Sequence, residues 1–173
     1  MVTKLREREQ VPDLWLCAAP IKRDRWYMMA EKACELGITA FIPVQTQRTI
    51  IDKIKDDKLR AQMIEASEQC ERTALPDIKP MQKLTKFLQE FPRDRTLFFC
   101  DERGGDNYVD GIKSHSGPAA ILIGPEGGFS DEENAMIREH PCAKTISLGP
   151  RILRAETAAI ASISAWMACA GDW

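Results

Sequence analysis

Residues 119–169 read AAILIGPEGGFSDEENAMIREHPCAKTISLGPRILRAETAAIASISAWMAC, and this stretch decides the expected fold. It repeats one arrangement twice: a short apolar strand, a Gly-Pro loop and then a helix. One strand is predicted at 119–123 and the other at 145–148, so both loops leave the carboxyl ends of strands. In an open α/β sheet that edge binds small ligands, because unpaired backbone N–H groups at the following helix starts converge there. The two loops are therefore predicted to form one pocket.

The first loop, Gly124-Pro125-Glu126-Gly127-Gly128, does not have the pattern of a phosphate-binding loop. Neither GxGxxG nor GxxxxGK[ST] is present, and the Glu126 carboxylate would repel phosphate oxygens. A glycine-rich loop that carries a carboxylate better suits a ligand with hydroxyl groups or positive charge. The alternative interpretation is a tight strand-to-helix turn with Glu126 in solvent.

The rest of the chain alternates strand and helix patterns, which is typical of an α/β domain with a mostly parallel sheet flanked by helices. Ser130 followed by Glu133 is a capping box that marks the start of a helix. Residues 14–173 are predicted to form one domain, and residues 1–13 a leader or the remnant of a linker. Further strands are predicted at 14–19, 38–44 and 96–100, and helices at 24–36, 57–72, 81–91 and 156–170.

Composition is that of an ordinary soluble protein, with 44% hydrophobic and 29% charged residues. No apolar run approaches the roughly 20 residues needed to span a bilayer, and the charged start is no signal peptide, so a cytoplasmic protein without membrane partners is predicted. The six cysteines form no CxxC pair, which favours structural thiols over a metal or redox site. The net charge of −2 argues against indiscriminate nucleic-acid binding.

Four motifs in order carry a resemblance to a known family. LIGPEGGFS at 122–130 and ISLGPRILRAETAA at 146–159 resemble the RsmE family of ribosomal RNA uridine N3-methyltransferases, within the SPOUT superfamily. AEKACELGI at 30–38 and EASEQC at 65–70 resemble two helix ends of the same family. The match runs from about Trp15 to the end of the chain.

The resemblance implies a trefoil-knotted α/β domain, a homodimer and a bound S-adenosylmethionine. It implies as substrate a uridine in 16S ribosomal RNA, within the small ribosomal subunit. Topology rules alone would predict an unknotted sheet, because threaded chains are very rare. Family members also carry an N-terminal PUA-like RNA-binding domain, which is absent from this sequence. An alternative function is a dimeric module that binds S-adenosylmethionine with lost or weak activity, and a third, without the resemblance, is a nucleotide-dependent α/β enzyme.

The motif match also implies which residues hold the cofactor. These are Leu122, Ile123, Gly124, Gly127, Leu148, Gly149, Ile152, Leu153, Arg154, Ala155 and Thr157.

Chemistry at uracil N3 suggests the catalytic candidates. Loss of the N3 proton leaves an anion that a guanidinium can stabilise, and Arg154 is the first choice for this role and Arg151 the second. Either arginine could instead cap carbonyls or bind phosphate. Glu156 and Glu126 are candidates for the proton acceptor, although water could suffice.

Cations near strand ends are candidates for RNA binding. Lys22, Arg23 and Arg25 follow the first strand and could hold RNA phosphates, or they could simply form a solvated helix start. Arg48 follows the second strand and is equally plausible as a surface ion-pair residue. Asp101 and Glu102 follow the third strand, where carboxylates could accept hydrogen bonds from ribose hydroxyls or remain as exposed turn residues.

Overall fold

A parallel β-sheet forms the centre of the molecule. The computed structural model describes residues 7–51, 53–113 and 115–173. The strands are β1 (Leu14–Ala18), β2 (Ala40–Gln45), β3 (Asp77–Ile78), β4 (Gln82–Lys83), β5 (Thr96–Cys100), β6 (Asp106–Asn107), β7 (Ala119–Ile123) and β8 (Ala143–Ser147). The helices are α1 (Arg23–Glu35), α2 (Asp56–Gln69), α3 (Leu84–Gln89), α4 (Tyr108–Ile112), α5 (Asp131–Arg138) and α6 (Ala155–Ala170).

The strand order is β3-β2-β1-β7-β5-β8-β6, with β4 paired to β2. Every pairing between these strands is parallel. Ile121 of β7 lies opposite Leu16 on one side and Phe98 on the other. The carboxyl ends of β7, β5 and β8 therefore lie side by side at one edge of the sheet.

Side chains alternate between two apolar layers, as the pleat of a strand requires. On β7, Ile121 and Ile123 belong to the layer that α1, α2, α4 and α6 cover. Ala120 and Leu122 belong to the opposite layer, which α3 and α5 cover. A continuous apolar run buried on both faces is thus explained by helices on both sides of the sheet.

The predicted α/β architecture is confirmed, and the strands at 96–100 and 119–123 have the predicted bounds. Five predicted bounds were wrong by two or three residues: the starts of β2, α3 and β8 and the ends of α2 and α3. Strand β8 starts at Ala143, because its first residues pair with β5. Helix α3 starts at Leu84, because residues 82–83 pair with β2. Helix α2 ends at Gln69, after which Glu71 has a positive φ of 58°.

Residues 7–13 form neither helix nor strand, and residues 1–6 lie outside the described part of the chain. The Glu9 carboxylate accepts a hydrogen bond from Arg72 Nε at 2.9 Å, and the Glu9 N–H donates to Thr73 Oγ1 at 2.7 Å. This segment is therefore held against the end of α2. Its interpretation as a leader or linker remnant stays a prediction, as does the knot.

Arg95 ties three strands together at the amino edge of the sheet. Its guanidinium donates to the backbone oxygens of Asp13 and Ala119, at 3.1 and 2.8 Å, and pairs with the Asp13 carboxylate at 2.5 Å. It also lies 3.6 Å from the centre of the Trp15 ring, in a cation–π contact. One buried side chain thus fixes where β1, β5 and β7 begin.

We expect Arg95→Ala to lower the free energy of unfolding by about 2 to 4 kcal/mol, because it removes a buried donor to the Ala119 carbonyl together with the contacts to Asp13 and Trp15. Urea denaturation measures the change. Arg93→Ala is the matched control: Arg93 is exposed two residues away, and its loss should change the free energy by less than about 0.5 kcal/mol. Equal effects of the two substitutions would contradict the role of Arg95.

Candidate functional site

A cavity of about 260 Å³ opens at the carboxyl ends of β5, β7 and β8. Its lining comes from three loops that follow these strands, and both Gly-Pro loops contribute. The predicted single pocket between the two loops is therefore confirmed. The third loop, at residues 100–103, follows β5, and β5 lies between β7 and β8 in the sheet.

The first loop makes a tight turn in which glycine is needed at two positions. The Gly128 N–H donates to the Pro125 carbonyl at 2.9 Å, and Gly128 has a φ of 67°. A Cβ added to Gly128 would lie 3.0 Å from Glu102 Oε1, so a side chain there would be crowded. It would also be strained, because side chains other than glycine rarely adopt this φ. A Cβ at Gly124 would lie 2.8 Å from the Phe129 ring. The loop therefore passes close to its neighbours with little room for other residues.

The second loop leads into the start of α6. The Gly149 N–H donates to Ser147 Oγ at 3.3 Å, and Arg154 is the N-cap residue, with its carbonyl accepting from the Ala158 N–H at 2.8 Å. Ile152 is 81% exposed beside the cavity. The second loop thus lines the cavity with apolar side chains and with the exposed guanidinium of Arg154. This guanidinium lies next to the unpaired N–H groups at the start of α6.

Asp101 fixes the loop after β5 to helix α5. Its Oδ2 accepts from Asn134 Nδ2 at 3.0 Å and from Arg138 Nη2 at 2.6 Å, and its Oδ1 accepts from the Arg103 N–H at 2.9 Å. Burial alone would raise the pKa of Asp101, but these hydrogen bonds outweigh it and hold the pKa below its usual range. The carboxylate is thus fully used in holding the loop to α5, and Glu102, which is exposed, is the carboxylate left to face a ligand.

We expect Asp101→Asn to reduce the free energy of unfolding by about 2 to 3 kcal/mol at pH 7, because it removes charged hydrogen bonds at a buried site. The native pKa is lowered, so this contribution is present above the unfolded pKa of about 3.9 and is lost as pH falls through the native value. Urea denaturation between about pH 6 and pH 2 measures it. The difference between wild type and variant should shrink below about pH 4; a constant difference would contradict the assignment.

Most residues predicted to hold a cofactor line the cavity. Leu122 does not, because it points into the α3/α5 layer. Gly127 does not, because it lies on the outer side of the turn, where its carbonyl accepts from Arg48 Nη1 at 2.7 Å. Thr157 is exposed on α6 and also lies outside the lining. The residues that do line it are Ile123, Gly124, Leu148, Gly149, Ile152, Leu153, Arg154 and Ala155.

Of the catalytic candidates, Arg154, Arg151 and Glu126 line the cavity and Glu156 does not. Glu156 is 6% exposed, and its Oε1 lies 3.5 Å from Arg25 Nε. Within the described residues, Glu156 Oε2 is buried without a hydrogen-bond partner. A buried carboxylate oxygen in that condition can accept a proton or a hydrogen bond from an incoming group.

The predicted RNA-binding cations lie beside the same loops. The Lys22 N–H donates to Glu126 Oε1 at 3.2 Å, and Arg25 approaches Glu156. Arg23 is exposed at the first turn of α1. Arg48 contacts the first loop through Gly127. The start of α1 and the residues after β2 therefore contact the first loop and the start of α6.

Sequence reasoning missed several residues around the cavity. Asn134 and Arg138 are four residues apart on α5, and this i, i+4 spacing was the available signal that both could reach one partner. Phe129 packs under Gly124, which no pattern indicated. Cys100 lines the cavity, and burial raises its pKa to about 12, so its thiol stays neutral there.

All six cysteines are free. Among the described residues, no group of three or more histidine, cysteine or acidic side chains is placed to hold a metal ion. Within the same residues, none of the helices has the length and apolar character needed to cross a lipid bilayer.

The chain is similar to known proteins along most of its length. The chain is 33% identical to the ribosomal RNA small subunit methyltransferase E of Rickettsia conorii, over 93% of this chain and 68% of the relative. A crystal structure of the same-named enzyme from Neisseria gonorrhoeae, bound to S-adenosyl methionine, has a TM-score of 0.85 at 30% identity, covering 94% of this chain and 68% of that one. The chain thus spans about two thirds of these proteins.

A more distant structure shows the shared fold. The Aquifex aeolicus TrmH/SpoU tRNA-modifying enzyme has a TM-score of 0.58 at 14% identity, covering 93% of this chain and 76% of that one. Fold and site together define an α/β methyltransferase domain. Residues 7–167 match the RNA methyltransferase domain family. The chain belongs to this family, among the relatives named ribosomal RNA small subunit methyltransferase E, so the resemblance to RsmE is confirmed.

Proposed function

We propose that this protein transfers a methyl group from S-adenosylmethionine to N3 of a uridine in 16S ribosomal RNA. The observation that carries the proposal is the cavity shared by the two Gly-Pro loops, with Arg154 exposed in its wall. The names of its relatives support ribosomal RNA as the substrate class, and the related structure with bound S-adenosyl methionine supports the cofactor.

The lining suits that cofactor chemically. Ile123, Leu148 and Leu153 offer apolar surface to an adenine ring. Glu102 is an exposed carboxylate in the wall, able to accept hydrogen bonds from ribose hydroxyls. Glu126 adds negative charge, which suits a ligand that carries positive charge. The cofactor supplies an activated methyl group on a positively charged sulfur.

The protein has three tasks in this reaction: to align the uracil, to exclude water and to manage one proton. The N3 proton must leave, and the charge then spreads to the neighbouring carbonyl oxygens. The Arg154 guanidinium lies in the cavity wall, where it can stabilise that charge, with Arg151 as the second candidate. Glu126, in the cavity wall, and Glu156, at the start of α6, are the candidate proton acceptors, with water as the alternative.

RNA is proposed to approach across the start of α1. The Lys22 backbone contacts the first loop and Arg25 contacts Glu156 at the start of α6, so these cations, with Arg23, would bind phosphate locally in a chain whose net charge is −2. A homodimer is part of the proposal, since a partner seated beside the cavity would cover the exposed Ile152. A cytoplasmic location is part of the same proposal, since ribosomal RNA is the proposed substrate.

We expect S-adenosylhomocysteine to bind with a dissociation constant in the micromolar range, because most of the predicted cofactor residues share one cavity. Isothermal titration calorimetry measures this, with NAD as the comparison ligand. Binding of NAD alone would support a nucleotide-dependent enzyme and refute the proposal. Binding of S-adenosylhomocysteine without any transfer to small ribosomal subunits would favour a binding module.

We expect Arg154→Ala to raise the barrier for methyl transfer by about 2 to 4 kcal/mol, the size of effect seen when a donor to a developing anion is lost. Affinity for S-adenosylhomocysteine should stay within several-fold. Tritium transfer from labelled S-adenosylmethionine to small ribosomal subunits measures the rate, and calorimetry measures the affinity. Loss of binding with no separate loss of rate would reassign Arg154 to cofactor binding.

A further inference from the structure

Arg48 is exposed, and its guanidinium contacts the first Gly-Pro loop, residues 124–130, which we call the cofactor loop. Its Nη1 donates to the Gly127 carbonyl at 2.7 Å. A hypothetical Cβ on Gly127 would lie 3.5 Å from Arg48 Cδ and 3.6 Å from Arg48 Cβ, so the arginine stem runs along the backbone of Gly127 at van der Waals distance. The guanidinium and the stem therefore both contact the outer side of the turn whose inner side lines the cavity.

The residues around Arg48, which we call the 46–49 loop, are held in a fixed shape. The Thr46 N–H donates to Thr49 Oγ1 at 3.0 Å, and the Thr49 N–H donates back to the Thr46 carbonyl at 3.1 Å. Thr46 is 6% exposed, so this closed turn is anchored in the body of the protein. The loop can thus act as a rigid support for what it touches.

A second contact joins the 46–49 loop to the start of α5. The Gln47 N–H donates to Glu133 Oε1 at 2.7 Å, while Glu133 Oε2 accepts from the Ser130 N–H at 3.0 Å in the capping box. The cofactor loop lies between Gly124 and Ser130, so it is held by the 46–49 loop at its turn and again at its end. Two attachment points restrict both the position and the tilt of the turn.

The electrostatic surroundings of Arg48 favour this role over phosphate binding. Glu132 and Glu133 begin α5 nearby, and Glu126 lies in the turn itself. Hydrogen bonds from its own backbone N–H and from Ser130 lower the pKa of Glu132, and the charge of Arg48 adds a smaller effect in the same direction. An RNA phosphate would have to approach several carboxylates in order to reach this guanidinium.

We propose that Arg48 is a positioning residue that clamps the Pro125–Gly128 turn from outside, so that the cavity is preformed for its ligand, in place of the RNA-binding role predicted from sequence. This inference rests on the proposed function for the identity of the ligand. A preformed loop loses less conformational freedom on binding, so the clamp raises cofactor affinity without touching the cofactor.

The test compares Arg48→Ala, Arg48→Lys and the control Arg93→Ala in calorimetry with S-adenosylhomocysteine. Arg48→Ala should weaken binding by roughly three- to tenfold, the effect of losing one hydrogen bond from a charged donor at an exposed site. Arg48→Lys keeps a donor of similar reach and should retain most of the affinity. Arg93 lies at the opposite edge of the sheet, and its replacement should leave the affinity within about twofold.

Steady-state kinetics separates the two roles of Arg48. For a clamp, Arg48→Ala raises KM for S-adenosylmethionine and leaves KM for the RNA substrate and its salt dependence unchanged. If Arg48 contacts RNA instead, Arg48→Ala raises KM for RNA and leaves cofactor affinity unchanged. The slope of the logarithm of RNA affinity against the logarithm of salt concentration then falls in magnitude by about one. The second result would overturn the inference.

A measurement without ligand distinguishes failure of the clamp from failure of the proposed function. The Gly128 N–H is protected by its bond to the Pro125 carbonyl, so its hydrogen exchange reports on the turn. Exchange should be faster in Arg48→Ala than in wild type or Arg93→Ala, whether or not S-adenosylhomocysteine binds. Equal exchange rates in all three would refute the clamp, whereas faster exchange without any ligand binding would retain the clamp and refute the cofactor.

Discussion

Parallel pairing of β7, β5 and β8 is the constraint on which the rest of the structure depends. Because these neighbours run in one direction, their following loops must all leave from one edge of the sheet. The loops carry glycines, carboxylates and arginines, and the sheet brings them within one cavity of about 260 Å³. An antiparallel neighbour would have sent one of these loops to the opposite edge, so the site is a direct result of strand direction.

The loops at this edge are held by polar contacts more than by apolar packing. Asp101 ties the loop after β5 to Arg138 on α5, and Glu126 accepts from the Lys22 N–H at the start of α1. Arg48 and Glu133 join the residues after β2 to the same region. The loop after β5 and the first Gly-Pro loop are thus each fixed by groups from other parts of the chain. A site assembled in this way keeps its shape while its inner surface stays open to a ligand.

Sequence patterns predicted the fold well where the signal was local. Apolar runs located β5 and β7, and the Ser130 to Glu133 spacing located the start of α5. The two-residue strands β3, β4 and β6 were missed, because so short a segment has no periodicity and exists only through its neighbour. The site was also predicted where the signal was local and missed where it was not. Motifs placed the lining residues near one another, but the contacts of Arg48, Asp101 and Glu156 join distant parts of the chain, and no spacing in the sequence encodes them.

The position of Arg95 has a consequence for how this domain tolerates change. The side chain joins β1, β5 and β7 at their amino ends, and the cavity opens at the carboxyl ends of β5 and β7, about one strand length away. The residue that holds the strands together and the cavity therefore lie at opposite edges of the same sheet. Substitutions in the loops around the cavity can alter which nucleotide is accepted, while Arg95 at the other edge continues to keep the strands in register. Such a domain can therefore diversify in specificity without first gaining stability.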